Sequence, residues 1–474
     1  MADVQGDESR NDGKRTMGSM GGEISMGGAF LEAAEDEARL AKKSRQAMLD
    51  HVGSGKYSAE DFARADPGDW KHTTSRDDFT AAEVQIGKRC HGFHLELLRH
   101  QGPTPVSNHY VLTHYDVPML DPATHAVQVR GHVHRELELT LSSVRRRESI
   151  TTPVLMACAG IGRSQQQKRF WTHAPWGPDA IGCALWTGCS LADLLREVGV
   201  REGAKKVIFT GADKGVEGNR VQHFQRCLSI EEAMKGHVLV CWAMNGEDLS
   251  PAHGAPIRLI VPGWYGMASV KWLTSIEVTA DASWWGYQMD AYSFKRTAED
   301  PNAVPLTQLA VRALMAPPGF PDFVSRTRIV PPGVQEIVGK AWAGAAGLDR
   351  VEFSSDNGET WERAELEEKN GPFGWAAWKA KWNALEGETA VLCCRAFDCQ
   401  GRGQDRLGTE IFNYASFGCT QPQQVYCRVD ARIDTPGADI DLTSEQKAAK
   451  TALLQESGLS VEHAQALYQA PGSQ

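Results

Sequence analysis

Apolar positions change their spacing along the chain, and the changes mark out regions. Between about 76 and 325, short apolar runs alternate with amphipathic stretches. HAVQVRGHV alternates residue by residue, the period of a strand with one buried face. CSLADLLREVGV places Leu191, Leu194, Leu195 and Val198 on one helical face, with Ser190 where a cap belongs. LSIEEAM opens with Ser229 and Glu232 at the spacing of a capping box. KKVIFTG, HVLVCWAMNG and PIRLIVPG are apolar runs that predict buried strands. Helices and strands interleave without strict βαβ order. A proline-rich linker follows, with MAPPGFPDF and VPPG. Beyond it the period becomes two, in VQEIVGKAWAG, RVEFSSDNGETWERAEL, WAAWKAKW and TAVLCCRAFDCQG. DNG predicts a hairpin turn. The fold class read from this pattern is α+β: a mixed α/β domain over 76–325, then a β-sandwich of immunoglobulin size over 326–432.

The two ends differ from this body. Residues 1–75 read as an extension, partly disordered, with a Met/Gly/Ser-rich stretch and then a charged surface helix in FLEAAEDEARLAKKSRQAML. Residues 433–474 read as a short helical tail. There Thr443 and Gln446 form a capping box, and Gly458 separates two amphipathic helices.

Composition narrows the function classes. The 474 residues carry a net charge of −10, which argues against a nucleic-acid binder driven by bulk charge. Eleven cysteines include no CxxC pair and no CxxCH motif, so they read as reduced thiols. The N-terminus is polar and acidic, without the apolar core of a secretory signal. No apolar run approaches the roughly 20 residues that span a bilayer. A cytoplasmic protein with no membrane partner is the expectation, with a processed transit peptide as the other route.

Three segments concentrate reactive side chains. In VLMACAGIGRS, Cys158 ends an apolar run, and glycines and Arg163 follow. Most free cysteines are small buried hydrophobes. The alternative is a thiolate ligand for a soft or redox-active metal, with Arg163 lowering the thiol pKa and facing an anion. GADKGVEGNRVQHFQR holds Asp213, Lys214, Arg220, His223 and Arg226 among glycines. It reads as a loop, either solvated or cradling a polar ligand. HGAPIRLIVPGWYGMASVKW brackets one strand with His253 and Arg258 and follows a sharp turn with Lys271. Such a turn is either a plain strand connection or an anion nest. No Walker, GxGxxG, HExxH or GxSxG motif is present.

Taken in order, NHYVLTHYDVPMLDP, CAGIGRS, ALWTGCSLADLLREVGV, FTGADKGVEG, AMNGEDLSPAHGAPIRLIVPG and GWYGMASVKWLTSIEV resemble the sulfite oxidase family of molybdenum-cofactor enzymes. ALMAPPGFPDF and GKAWAG with VEFSSDNGETW match that family's dimerisation domain, so the resemblance covers about residues 100–430. It implies a molybdopterin-binding domain followed by an immunoglobulin-like dimerisation domain, and a homodimer. It implies Cys158 as the single protein ligand to molybdenum. His114, Asp213, His253, Arg258, Ser269 and Lys271 would hold the pyranopterin and its phosphate, and Arg163 would stand beside the substrate. The implied reaction is oxygen-atom transfer, with sulfite oxidised to sulfate. No HPGG stretch of a haem module occurs, so electrons would pass to an external acceptor such as oxygen or a cytochrome.

The chain also departs from the family. Leu112 occupies a usual arginine position and Trp242 a usual tyrosine position, so Trp242 joins Cys158 and Arg163 as an expected catalytic residue. FNYASFGC at 412–419 lacks an arginine found in animal and plant members, and Ile161 replaces an asparagine. Losing cations weakens a pocket for a dianion. Two other readings therefore stand beside sulfite oxidation. One is N- or S-oxide reduction, and the other is a degenerate cofactor-carrying interaction protein.

Overall fold

The structure is a computed structural model. It describes residues 90–434 except 166–173, 218–219, 285–288, 290, 296, 298–299, 324 and 405–415. The expected N-terminal helix and the helical tail beyond 434 lie outside the described residues.

The first half is built on two five-stranded sheets. Its strands are β1 (Ala126–Gly131), β2 (Leu137–Thr140), β3 (Ile150–Ala157), β4 (Ile181–Ser190) and β5 (Lys206–Glu217). They continue with β6 (Arg220–Ser229), β7 (Leu239–Met244), β8 (Glu247–Asp248), β9 (Arg258–Ile260) and β10 (Leu273–Thr279). One sheet runs β2-β1-β10-β5-β6. The other runs β8-β7-β4-β3, with β9 also paired to β7. Pairing is antiparallel except for β10 with β1. The sheets share one apolar core with Trp186, Phe209 and Leu239 buried in it.

Helices are short and follow their caps. α1 is Leu141–Arg145, α2 is Leu191–Val198 and α3 is Ile230–Ala233. The Ser190 hydroxyl accepts from the Asp193 amide, and the Ser229 hydroxyl accepts from the Glu232 amide. Each satisfies one of the orphan donors of a helix start. α2 buries Leu191, Leu194, Leu195 and Val198, and it stops at Gly199, whose φ of 68° continues no helix.

The expected loop at 211–226 is instead a hairpin. β5 runs on through Glu217, and Lys214, Gly215, Val216 and Glu217 pair with His223, Gln222, Val221 and Arg220. The pattern misled because Asp213 and Arg226 are buried while Val216 and Val221 are exposed, so charged and apolar residues do not sort by face here.

The second half is a sandwich of two sheets around a separate core that includes Val351, Trp378, Leu392 and Cys394. It comprises β11 (Arg312–Met315), β12 (Phe320–Pro321), β13 (Arg328–Val330), β14 (Gly333–Trp342) and β15 (Leu348–Ser354). The remaining strands are β16 (Glu362–Arg363), β17 (Glu365–Lys369), β18 (Ala376–Ala384), β19 (Thr389–Asp398) and β20 (Gln423–Val429). One sheet is ordered β11-β14-β18-β17 and the other β12-β13-β20-β19-β15-β16. The first sheet thus reaches back to Arg312, ahead of the prolines. Asn357 and Gly358 of the DNG turn both have positive φ, 60° and 82°.

The halves are joined by specific contacts. The Leu155 amide donates to the Phe373 carbonyl across the boundary. The Arg312 guanidinium donates to the carbonyls of Ile161 and Cys419. These bonds fix the turn after β3 against the sandwich, and the candidate site lies at that turn.

Candidate active site

Cys158 follows β3 directly, where the chain leaves the sheet. The Ile161 amide donates to the Cys158 carbonyl at 3.1 Å, and the Gly160 amide points at the Cys158 thiol, 3.4 Å from Sγ. A side chain at Gly160 would strike the Arg163 guanidinium at 2.6 Å, so only glycine lets Arg163 fold back over this turn. Burial pushes the Cys158 thiol upward, and Arg163 and the Gly160 amide pull the other way. The expected lowering by Arg163 is therefore present but outweighed by desolvation.

Two cavities meet at Cys158. The first has an empty volume of about 700 Å³ and is lined by His114, Asp213, His253, Arg258, Ser269 and Lys271, with His109, Tyr110 and Tyr292. The second has an empty volume of about 930 Å³ and is lined by Arg163, Trp176, Glu217, Tyr292 and Phe417 among others. Cys158, Leu112, His114 and Tyr292 line both.

The first cavity is rich in buried charge. The Arg258 guanidinium donates to the carbonyls of His253 at 2.7 Å and Ser269 at 2.9 Å, and lies 4.8 Å over the Trp186 ring. Lys271 Nζ donates to the carbonyls of Ala252 at 3.0 Å and Leu112 at 3.2 Å. Burial pushes Arg258 down to about 10 and Lys271 down to about 7, and repulsion from Arg258 adds to the latter. Asp213 is 5% exposed. Burial pushes its carboxyl up to about 6 against the pull of Lys271. The Ser269 hydroxyl accepts from the Val261 amide at 3.0 Å, which sets its place in the turn.

Histidines complete this wall. His253 Nε2 donates to the Val106 carbonyl at 3.1 Å, and His109 Nδ1 donates to the Tyr110 carbonyl at the same distance. Burial pushes His253 to about 4 and His109 to about 3, so both rings are neutral near pH 7. His109 Nε2 and Asp213 Oδ1 are buried with no hydrogen-bond partner among the described residues. His114 Nε2 pairs with the Tyr292 hydroxyl at 2.7 Å. Gly266 gives room here, since a side chain on it would overlap the Tyr110 hydroxyl.

Arg163 faces the second cavity but is 3% exposed. It donates to the carbonyls of Ala174 at 2.6 Å and Ser416 at 3.3 Å, and lies 5.1 Å over the Phe417 ring.

Trp242 lines neither of these two cavities. It lies in β7, whose six residues are all buried, at a break in register where Thr187 and Gly188 pair with Ala243 and Cys241. Tyr292, from the aperiodic stretch after β10, lines both cavities beside Tyr110 in the first and Tyr115 in the second, and the sequence reading missed it. Phe417 and Glu217 were also missed. The one sequence signal for Tyr292 is the crowding of aromatics in WWGYQMDAYSF.

The chain matches the family model described as "Oxidoreductase molybdopterin binding domain" over residues 114–285. It matches "Mo-co oxidoreductase dimerisation domain" over 304–417. The sulfite oxidase of Gallus gallus is 31% identical over 67% of this chain and 71% of its own length. A mitochondrial sulfite oxidase of Drosophila melanogaster is 31% identical over 62% of this chain, and a nitrate reductase [NADH] of Ulva prolifera 30% identical over 64%. The chain spans only 52% and 38% of those two proteins. The sulfane dehydrogenase SoxCD from Paracoccus pantotrophus shares the fold. Its TM-score is 0.59 at 21% identity, over 77% of this chain and 95% of that one.

The residues present fit the cofactor these families bind. A buried thiol meets a cavity with two buried cations, suited to a phosphate, and with two acceptors left for the N–H groups of a pterin. Among the described residues no three His, Cys, Asp or Glu side chains converge as a metal site, so further ligands would come with the cofactor. With donor set, fold and relatives in agreement, the chain belongs to the sulfite oxidase family of molybdenum-cofactor oxidoreductases.

Proposed function

We propose that this oxidoreductase transfers an oxygen atom to or from a small substrate in the second cavity and exchanges electrons with an external partner. The observation that carries the reading is the position of Cys158 on both cavities, which joins a cofactor-shaped wall to a separate chamber. Sulfite oxidation to sulfate, with oxygen or a cytochrome as acceptor, is the form the family resemblance favours.

When bound, the molybdenum centre supplies two-electron oxygen-atom transfer. Cys158 would be its protein ligand. Arg258 and Lys271 would hold the phosphate, while Asp213 and His109 would accept from the pterin. The His114–Tyr292 pair holds a proton at the junction of the cavities. Burial keeps the Tyr292 phenol far above its ordinary range, so it stays protonated and can donate to an oxygen there. Trp176 and Phe417 wall the chamber. The sandwich would pair two chains, as the description of its family model indicates. Among the described residues no helix is long and apolar enough to cross a membrane.

The test is an absorption spectrum of the purified protein before and after anaerobic sulfite. Bleaching of a thiolate-to-molybdenum band supports both the metal site and sulfite oxidation. A band that sulfite leaves unchanged keeps the cofactor and removes sulfite.

A further inference from the structure

We propose that Arg312 is a positioning residue for the redox site: from the sandwich it latches the turn that carries Cys158 to the 416–419 segment. The latch stands on geometry alone, and its effect on the metal rests on the reading of Cys158 as the ligand.

Arg312 opens β11, the end strand of its sheet, and is 1% exposed. Its Nη1 donates to the Ile161 carbonyl at 3.3 Å and to the Cys419 carbonyl. Its Nη2 donates to the Gln165 side-chain oxygen at 3.1 Å. One guanidinium thus grips two stretches that lie far apart in sequence. It lies close against the backbone of the turn. Gly162 has a φ of 75°, and a side chain there would come within 2.6 Å of Arg312 Nη2.

The two stretches also touch directly. The Gly418 amide donates to the Ala159 carbonyl at 2.7 Å, one residue beyond Cys158. Arg163 reaches from the turn to the Ser416 carbonyl and the Phe417 ring. An arginine from each half of the molecule therefore clips the same pair of stretches.

The base of the latch is held in place. β11 has a strand on one side only. On the other side two buried glutamines stand in for a strand. The Ala313 amide donates to the Gln404 side-chain oxygen and the Met315 amide to that of Gln423, each at 2.7 Å. Gln423 Nε2 returns a bond to the Met315 carbonyl at 3.2 Å. Gln404 Nε2 donates to the Thr420 carbonyl at 3.1 Å, so β11 is tied to the end of the segment it grips.

A buried cation is a weak way to stabilise a fold, because desolvation offsets much of what its bonds return. The planar fork supplies direction instead, since it fixes three neutral oxygens relative to one another. Those oxygens belong to, or adjoin, the stretches that carry Cys158 and Phe417. Without the fork, the turn and the segment should part locally while both cores stay folded.

The experiment replaces Arg312 in the full chain. Cofactor-free protein is treated with iodoacetamide, and each cysteine is followed by mass spectrometry. Cys158 and Cys419 flank the latch and are 6% and 2% exposed. In R312M both should react about tenfold faster than in the parent, the effect of losing one hydrogen bond to a charged group. Cys241 and Cys394, buried in the cores of the two halves, should keep the parental rate. R312K keeps the charge without the fork and should fall between the two. In the molybdenum-replete chain, R312M should shift the thiolate-to-molybdenum band and release the cofactor about tenfold faster, as loss of an outer partner does. Parental rates at Cys158 and Cys419 in both variants overturn the latch. A rise shared by all four cysteines in both variants also overturns it, because it reports loosening of the whole fold. A selective rise with the band and the cofactor release unchanged overturns the positioning role. A parental chain that lacks the band fails the ligand reading instead, and the alkylation pattern still decides the latch.

Discussion

The His114 imidazole and the Tyr292 hydroxyl are hydrogen-bonded at 2.7 Å across 178 residues of sequence, at the point where the two cavities meet beside Cys158. Phe224 packs on the imidazole at 4.9 Å and Phe417 on the phenol at 4.8 Å, so neither ring is free to turn away. The pair is therefore pre-organised.

Tyr292→Phe keeps this packing and removes the hydroxyl. If the phenol donates to the reacting oxygen, kcat should fall by about a hundredfold, the usual range for losing a positioned proton donor, with KM little changed. Steady-state kinetics on the holoenzyme check this. A kcat within about threefold of the parent would remove Tyr292 from the chemistry.

Cys158→Ser should leave a folded protein, since the change costs about 1–3 kcal/mol for a hydroxyl in a nearly buried site. It should abolish the thiolate-to-molybdenum absorption band and lower activity by more than about a hundredfold, beyond what loss of an outer partner costs. A serine variant with parental turnover would sink the ligand assignment.

Cofactor uptake by the cofactor-free protein should depend on pH near neutrality. Lys271, pushed down to about 7, is charged below that pH and neutral above it. Asp213, pushed up to about 6, becomes negative above that pH. Arg258 at about 10 stays charged, and His253 and His109 stay neutral. The first cavity thus loses positive charge as pH rises through 6 to 8, and phosphate binding weakens in the same direction. Binding measured at several pH values should show proton uptake above pH 7. Lys271→Met should weaken retention and flatten the Lys271 part of the dependence. Uptake that does not change between pH 6 and 8 contradicts the assignment of Lys271 to the phosphate.

Leu112 lines both cavities, and its carbonyl accepts from Lys271. Leu112→Arg would put a second guanidinium beside the chamber that Arg163 lines. The apparent KM for sulfite should drop by about tenfold, a fraction of the roughly 4 kcal/mol that a close ion pair gains at an effective dielectric near 20. An unchanged or higher KM would mean that anions do not bind there.

Local signals were legible wherever one residue decides the outcome. Ser190 and Ser229 mark helix starts by their hydroxyls, and the alternating sandwich strands follow from a period of two. The order of CAGIGRS, FTGADKGVEG and the glycine-rich turn before Lys271 pointed to residues that the fold does gather round one cavity. Contacts made across long sequence separation were not legible. Nothing near Tyr292 in sequence signals His114, and nothing near Phe417 signals Arg163. Trp242 was placed by its neighbours in AMNG; it lies in β7 beside a register break and lines neither of the two cavities. The β5–β6 hairpin read as a loop because it buries Asp213 and Arg226 and exposes Val216 and Val221, the reverse of the pattern that marks a half-buried strand.

Ser416 and Phe417 reach the turn after β3 from the segment just ahead of β20, the last strand of the sandwich. The chamber beside Cys158 is thereby lined from two folding units. A change in the length or sequence of that connection can alter what the chamber admits without touching any residue of the cofactor-binding sheets. Substrate choice in such a protein can drift through its assembly domain while the redox centre is inherited intact.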